Sequence, residues 1–296
     1  MSFSSDWLRL REPADLRARN RVLVGQLATM FVGRRAPAVV DLAAGTGASV
    51  RALYSHLPEG TSWRLVDADK KLLKKAAKTL PERQVETRVL DIDADLETTL
   101  ETPVDLVTCS ALLDLVSETW MKRLVDVLSE RQLPVYAALT YDGTVIMSPS
   151  DPLDAAITEA VNQHQHMDKG FGPALGPDAP LVAIELLRQA GFTIENGRSD
   201  WLLEPDEQPL QAALVAGWIA AAREVGLLAP ADIDHWEKAR LDAIEALVRR
   251  LLNIIPAASV GSLPEVFLPA ASVELLQYGI FSDSVLEKSI IPAAAL

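Results

Sequence analysis

Val39-Val40-Asp41-Leu42-Ala43-Ala44-Gly45-Thr46-Gly47-Ala48-Ser49 is the stretch on which the fold turns. An apolar strand runs into a turn of small residues, and that turn opens a helix. Glycines at 45 and 47 let the backbone pass close to a ligand without a side chain in the way. The helix start that follows offers unpaired N–H groups. Structural turns use glycine pairs too, so the pair alone is weak evidence. The third glycine of a dinucleotide fingerprint is missing, and Val50 stands in its place.

Downstream of the turn, a second strand at Trp63–Val66 ends on Asp67, and a third at Val85–Leu90 ends on Asp91. In a parallel sheet both carboxylates fall at the carboxyl edge, level with the glycine turn, where doubly wound sheets hold ligands. Asp67 can accept two hydrogen bonds from a ribose diol, and Asp91 one from an exocyclic amine. Asp41 has two readings: it braces the glycine turn through backbone N–H groups, or it touches the ligand.

The rest of the chain repeats the rhythm of short apolar strand and helix. A helix over Pro13–Val32 precedes the first strand, Ala38–Leu42. A basic helix follows Asp67, a fourth strand covers Val104–Thr108, a helix Trp120–Leu128, and a fifth strand Pro134–Leu139. Such alternation predicts an α/β, doubly wound, mostly parallel sheet covered on both faces. The expected organisation is one domain over 1–296. An N-terminal helical cap (1–34) precedes a cofactor-binding core (35–204) that carries a lid insertion (143–180). A C-terminal extension (205–296) brings extra helices, from Gln208 to Val225 and along the Trp236–Ile254 stripe, and a closing strand at Val266–Leu268.

Composition narrows the function classes. The 296 residues carry a formal charge of −13, a field that repels nucleic acid and anionic membranes. The one dense basic stretch, Lys70, Lys71, Lys74, Lys75 and Lys78, alternates with apolar residues and reads as the wet face of an amphipathic helix. No apolar run is long enough to span a bilayer, and the N-terminus lacks the apolar core of a signal peptide. The single cysteine, Cys109, is read as a small apolar residue facing the sheet interior, and it fits a cytoplasmic location.

These residues resemble the class I (Rossmann-like) S-adenosylmethionine-dependent methyltransferase family. Residues 40–47 resemble its first motif, Leu65–Ala76 its second, Leu90–Asp93 its third and Val104–Leu113 its fourth. The resemblance implies S-adenosylmethionine as cofactor, with the turn of Ala43, Gly45 and Gly47 beneath its methionine and ribose. It places Asp67 on the ribose hydroxyls, Asp91 at the adenine amine and Ile92 against the ring. Ser110 falls near the methionine end, and Asp93 competes with Asp91. Ala43 departs from the family, many members having glycine there. In related folds an N-terminal helix closes over the cofactor, so Arg19 and Arg17 are candidates for the methionine carboxylate. Their spacing also suits an exposed helix face, which is the preferred reading of both charges.

Methyl transfer from a sulfonium is a direct displacement, so alignment and exclusion of water dominate, and an oxygen or protonated nitrogen acceptor needs a base in reach. Asn162, His164 and Lys169 are the candidate catalytic contacts, with no metal expected. They lie in a Gly- and Pro-rich interruption, 162–177, expected to form a lid over a small-molecule acceptor, with Gly143 as a hinge candidate. Taken singly, each reads as an ordinary hydrogen-bonded residue, and His164 continues the apolar stripe of Leu153, Ile157 and Val161. Lys169 would attract an anionic acceptor. A homodimer is admitted as the oligomeric state. Two rivals stay open: a non-catalytic adenosylmethionine-binding regulatory or assembly protein, and a nicotinamide-dependent oxidoreductase, against which the missing third glycine and the extra acid Asp91 both count.

Overall fold

A computed structural model of the protein describes residues 3–80, 84–101, 103–204, 206–254 and 273–283. Parallel strands β1 (Ala38–Leu42), β2 (Ser62–Asp67), β3 (Val85–Val89), β4 (Leu106–Ser110) and β5 (Val135–Met147) stand in the order β3-β2-β1-β4-β5. Two antiparallel strands complete this path: β8 (Val273–Asp283) pairs with β5, and β6 (Thr193–Arg198) with β8. The short β7 (Trp201–Leu203) also pairs with β8.

Helices cover both faces of the sheet. Leu23, Val24, Leu27 and Phe31 pack with Val39, Leu65, Leu73 and Leu106 on one side. Val40, Leu42 and Val107 meet Trp120, Leu124 and Leu128 on the other. A third cluster joins α1 (Ser5–Ala18), α7 (Asp154–Gln165), α9 (Gln208–Val225) and α10 (Pro230–Ile254) around Trp201, Trp218 and Trp236. The basic helix α4 (Lys70–Thr79) buries Leu72, Leu73 and Ala76 and exposes all five lysines. Among the described residues no helix is long and apolar enough to cross a membrane.

Several boundaries differ from the sequence expectations. The single helix over Pro13–Val32 is two helices, α1 and α2 (Arg21–Met30), broken at Arg19–Asn20. There the Asn20 side chain caps α2 by accepting from the Val22 and Leu23 N–H groups. β5 runs on to Met147, because β8 pairs with it across two register shifts, so the start of the 143–180 insertion is strand and not loop. The expected closing strand at Val266–Leu268 lies outside the described residues; β8 is the strand that pairs with β5. Sequence reading also passed over β7.

The strand order reverses between β1 and β4, which opens a crevice at their carboxyl ends. That crevice is where the site lies.

Candidate functional site

Backbone geometry shapes the crevice floor. Gly45 (φ 54°) and Gly47 (φ 82°) both take the left-handed conformation that costs glycine least. Their tasks differ. Gly45 faces the crevice, where the Leu8 side chain of α1 would sit 3.2 Å from an added Cβ. Gly47 turns away from the crevice and starts α3 (Ala48–Leu53); a Cβ there would meet Leu80 at 2.6 Å. It therefore serves packing of the turn against α4 and not close approach to a ligand. Ala43 (φ 50°) and Ala111 (φ 50°), just past β1 and β4, adopt the same left-handed backbone without glycine's freedom.

Asp67 organises the turn. One carboxylate oxygen accepts the Gly45 N–H at 2.8 Å and the other the Asp69 N–H at 2.7 Å. Burial pushes its carboxyl above the ordinary value, against the pull of those two donors. Each oxygen retains acceptor capacity. Asp91 is exposed on the crevice rim and accepts the Asp93 N–H at 3.0 Å, with Ile92 beside it on the wall. Ile92 is fixed from behind, where its carbonyl accepts from the Trp120 indole at 3.0 Å. Asp93 is not on the wall; its carbonyl pairs with Arg123.

Asp41 lies beneath the floor and is only 1% exposed. It does not brace the glycine turn through backbone N–H groups. One oxygen accepts from the Thr108 hydroxyl at 2.7 Å. The other oxygen has no partner among the described residues. Burial raises its pKa to about 6, with the Thr108 hydrogen bond, the nearby Ser49 hydroxyl and the Arg19 charge opposing. A second buried acid, Asp114, is also raised to about 6, mainly by burial. It sits where β4 gives way to the segment before α6 (Glu118–Arg131). Cys109 is buried, and burial pushes its thiol up.

Helix α1 closes the crevice with one stripe at helical spacing: Leu8, Arg11, Asp15 and, just past its end, Arg19. Arg11 grips Asp15 in a two-pronged pair of 2.9 and 3.0 Å, and the Trp201 indole donates to the same carboxylate at 3.0 Å. Glu12, on the neighbouring face, pairs with Arg51, whose guanidinium donates to the Thr46 carbonyl at 2.7 Å. The cap is thus tied to the glycine turn by a chain of charged contacts.

For Arg19 the structure decides between the two sequence readings. It is 7% exposed and faces the crevice, not solvent. Nη2 donates to the Ser110 hydroxyl at 2.7 Å, and Ser110 lies 3.2 Å from the Ser49 hydroxyl. Its Nε and Nη1 are buried with no partner among the described residues. A guanidinium shut off with two unmatched donors is costly unless an anion meets it. Arg17 does face outward and pairs with Glu207.

The crevice has a volume of about 670 Å³, within the usual range for small-molecule sites. Of the interruption 162–177, Lys169, Gly170 and Phe171 reach its wall. The loop is held by Asp168, which accepts the Gly170 and Gly172 N–H groups, and Phe171 packs edge-on against Trp120 at 5.6 Å. Asn162 is elsewhere, bridging the Tyr141 hydroxyl (2.8 Å) and the Gly143 carbonyl (3.1 Å). His164 stands behind Lys169, 3.2 Å from its ammonium nitrogen. Leu8, Arg11, Asp15, Ser49 and Phe171 belong to the wall and were missed as site residues. For the α1 members the signal was their common helical face. Among the described residues no group of three His, Cys, Asp or Glu is placed to hold a metal ion.

Residues 39–131 match the family model of the methyltransferase domain. No curated protein matches the chain. A cyclopropane-fatty-acyl-phospholipid synthase-like protein from Lactobacillus casei is similar in structure, with TM-score 0.51, 11% identity and 95% of each chain covered. At that identity the likeness is one of fold. A cyclopropane synthase from Mycobacterium tuberculosis aligns with TM-score 0.46 and 12% identity over 94% of each chain.

Proposed function

We propose that this chain, whose residues 39–131 match the methyltransferase domain, is a class I S-adenosylmethionine-dependent methyltransferase that methylates a small molecule held between Arg11, Phe171 and Lys169. The observation that carries the reading is Arg19: a buried guanidinium on the crevice wall with two unmatched donors. With the acids of the β2 and β3 ends, it lines a cavity that offers both carboxylate acceptors and a fixed cation. Those residues fit the cofactor. Asp91 and Ile92 would take the adenine, Asp67 the ribose hydroxyls, and Arg19 with Ser110 the methionine carboxylate.

When bound, the cofactor supplies an electrophilic methyl carbon on a sulfonium. The protein's part is alignment and exclusion of water. Leu8 and the Arg11–Asp15 pair line the cavity from α1, and Phe171 lines it from the loop after α7. Its size and the −13 net charge favour a small acceptor over nucleic acid. The test is isotope transfer from methyl-labelled S-adenosylmethionine into a small-molecule extract, wild type beside Arg19→Met. Label entering only the wild-type reaction supports the reading, and label entering neither rejects it.

A further inference from the structure

Lys169 is 5% exposed, yet it reaches the cavity wall from the loop after α7. Its amine lies 3.2 Å from His164 Nδ1, and His164 Nε2 lies 3.3 Å from a Glu224 carboxylate oxygen. Side-chain exposure rises along this row, to 21% at His164 and 59% at Glu224. Three titratable groups on three segments thus join the cavity to bulk water at hydrogen-bond spacing.

We infer that Lys169 is the base that takes the proton from the methyl acceptor, and that His164 and Glu224 carry that proton to solvent. The inference rests on the methyltransferase reading above, and it implies an acceptor with an ionisable X–H, a hydroxyl or a protonated amine. As X forms its bond to the methyl carbon, the carbon–sulfur pair stays with sulfur and the X–H proton passes to the neutral amine. The resulting ammonium returns one proton to His164 Nδ1, and the Nε2 proton leaves to Glu224. One proton and one methyl group are accounted for, and no further reactant is needed.

The surroundings favour the neutral amine in the resting site. Burial lowers the Lys169 pKa, with the Glu224 charge opposing. His164 from α7 and Glu224 from α9 are among the groups that face it. The charges that α1 brings to the cavity are Arg11, Asp15 and Arg19; Arg11 and Asp15 neutralise one another, and the Arg19 charge is felt by the buried Asp41, while Asp67, Asp69 and Asp91 also line the wall. A sulfonium in the same cavity adds a like charge and disfavours the ammonium further. The sequence reading, in which Lys169 attracts an anionic acceptor, requires the opposite charge state.

Titration decides between them. In protein labelled at the lysine ε-carbons, the Lys169 resonance is assigned by its loss in Lys169→Met and, independently, in Lys169→Arg. It is followed against pH with saturating S-adenosylhomocysteine. The expected midpoint lies one unit or more below the ordinary lysine value of about 10.4, a tenfold gain in neutral amine. S-adenosylmethionine should lower it again. His164→Phe and Glu224→Gln each remove a group that favours the ammonium, so each should lower the midpoint while cofactor affinity stays unchanged. A midpoint at or above the ordinary value overturns the inference, because Lys169 is then a fixed cation. A midpoint indifferent to both variants removes the path through His164. If calorimetry finds no binding of S-adenosylhomocysteine, the cofactor reading has failed instead, and the titration of free protein still reports on the amine.

Discussion

Arg19 Nη2 meets the Ser110 hydroxyl at 2.7 Å, joining the end of the N-terminal cap to the tip of β4. The contact draws a cationic side chain out of solvent while two of its donors stay unmatched among the described residues. The protein bears that cost if an anion completes the site. Arg19→Met should therefore weaken S-adenosylhomocysteine binding on the order of thirtyfold, the value of about 2 kcal/mol for a charge-assisted hydrogen bond. Thermal stability should hold or rise, since an incompletely paired buried charge is removed. Calorimetry and a melting curve on the same preparation check both halves.

Asp67 holds the Gly45 and Asp69 N–H groups, and the proposed function gives its remaining lone pairs to the ribose. Asp67→Ala should thus cost cofactor affinity about thirtyfold, together with about 1–2 kcal/mol of stability as two backbone donors lose their acceptor. A variant that melts earlier yet binds normally would confine Asp67 to the turn.

Asp114 and Asp41 are buried acids raised from 3.8 to about 6. For such groups the folded state holds its proton more tightly than the unfolded chain. Stability is therefore greatest below the unfolded value and is lost as pH rises from about 4 to 6. Two pKa units correspond to about 3 kcal/mol for each group. Asp114→Asn keeps the shape without the charge, so it should raise the melting temperature at pH 7.5 and leave it nearly unchanged below the unfolded value of 3.8. Denaturation across that window measures the difference.

Ala43 holds a left-handed backbone (φ 50°) at the end of β1. Strain of this kind costs a side-chain-bearing residue roughly 1–2 kcal/mol. Ala43→Gly should relieve it and raise the melting temperature by about 2 °C, a scale set by chain length. Ala111→Gly, at the same φ beyond β4, should act alike.

Local signals were legible and long-range ones were not. The helix Gln208–Val225 was read with its observed ends, because its Ala-rich apolar face stops at Gly226, a left-handed C-cap. The strand, turn and helix around Gly45 were equally plain, since adjacent residues encode them. The break at Arg19–Asn20 was hidden because Leu16, Leu23 and Leu27 keep helical spacing across it; the Asn20 cap was its only local mark. The extension of β5 through Thr140, Asp142 and Gly143 depends on pairing with β8, more than a hundred residues away, while its own polar residues spell a turn. Burial of Arg19 and Lys169 follows from which surfaces meet. A charged residue in a polar segment gives no hint of that.

On the proposed function, the crevice between β1 and β4 holds an adenosyl sulfonium whose carboxylate meets Arg19. Isothermal titration of the whole protein with S-adenosylmethionine, S-adenosylhomocysteine and NAD tests it most directly. The expected result is one-to-one binding of both adenosyl ligands, weakened by Asp67→Ala and by Arg19→Met, with no response to NAD. Saturable binding of NAD with neither adenosyl ligand bound would contradict it.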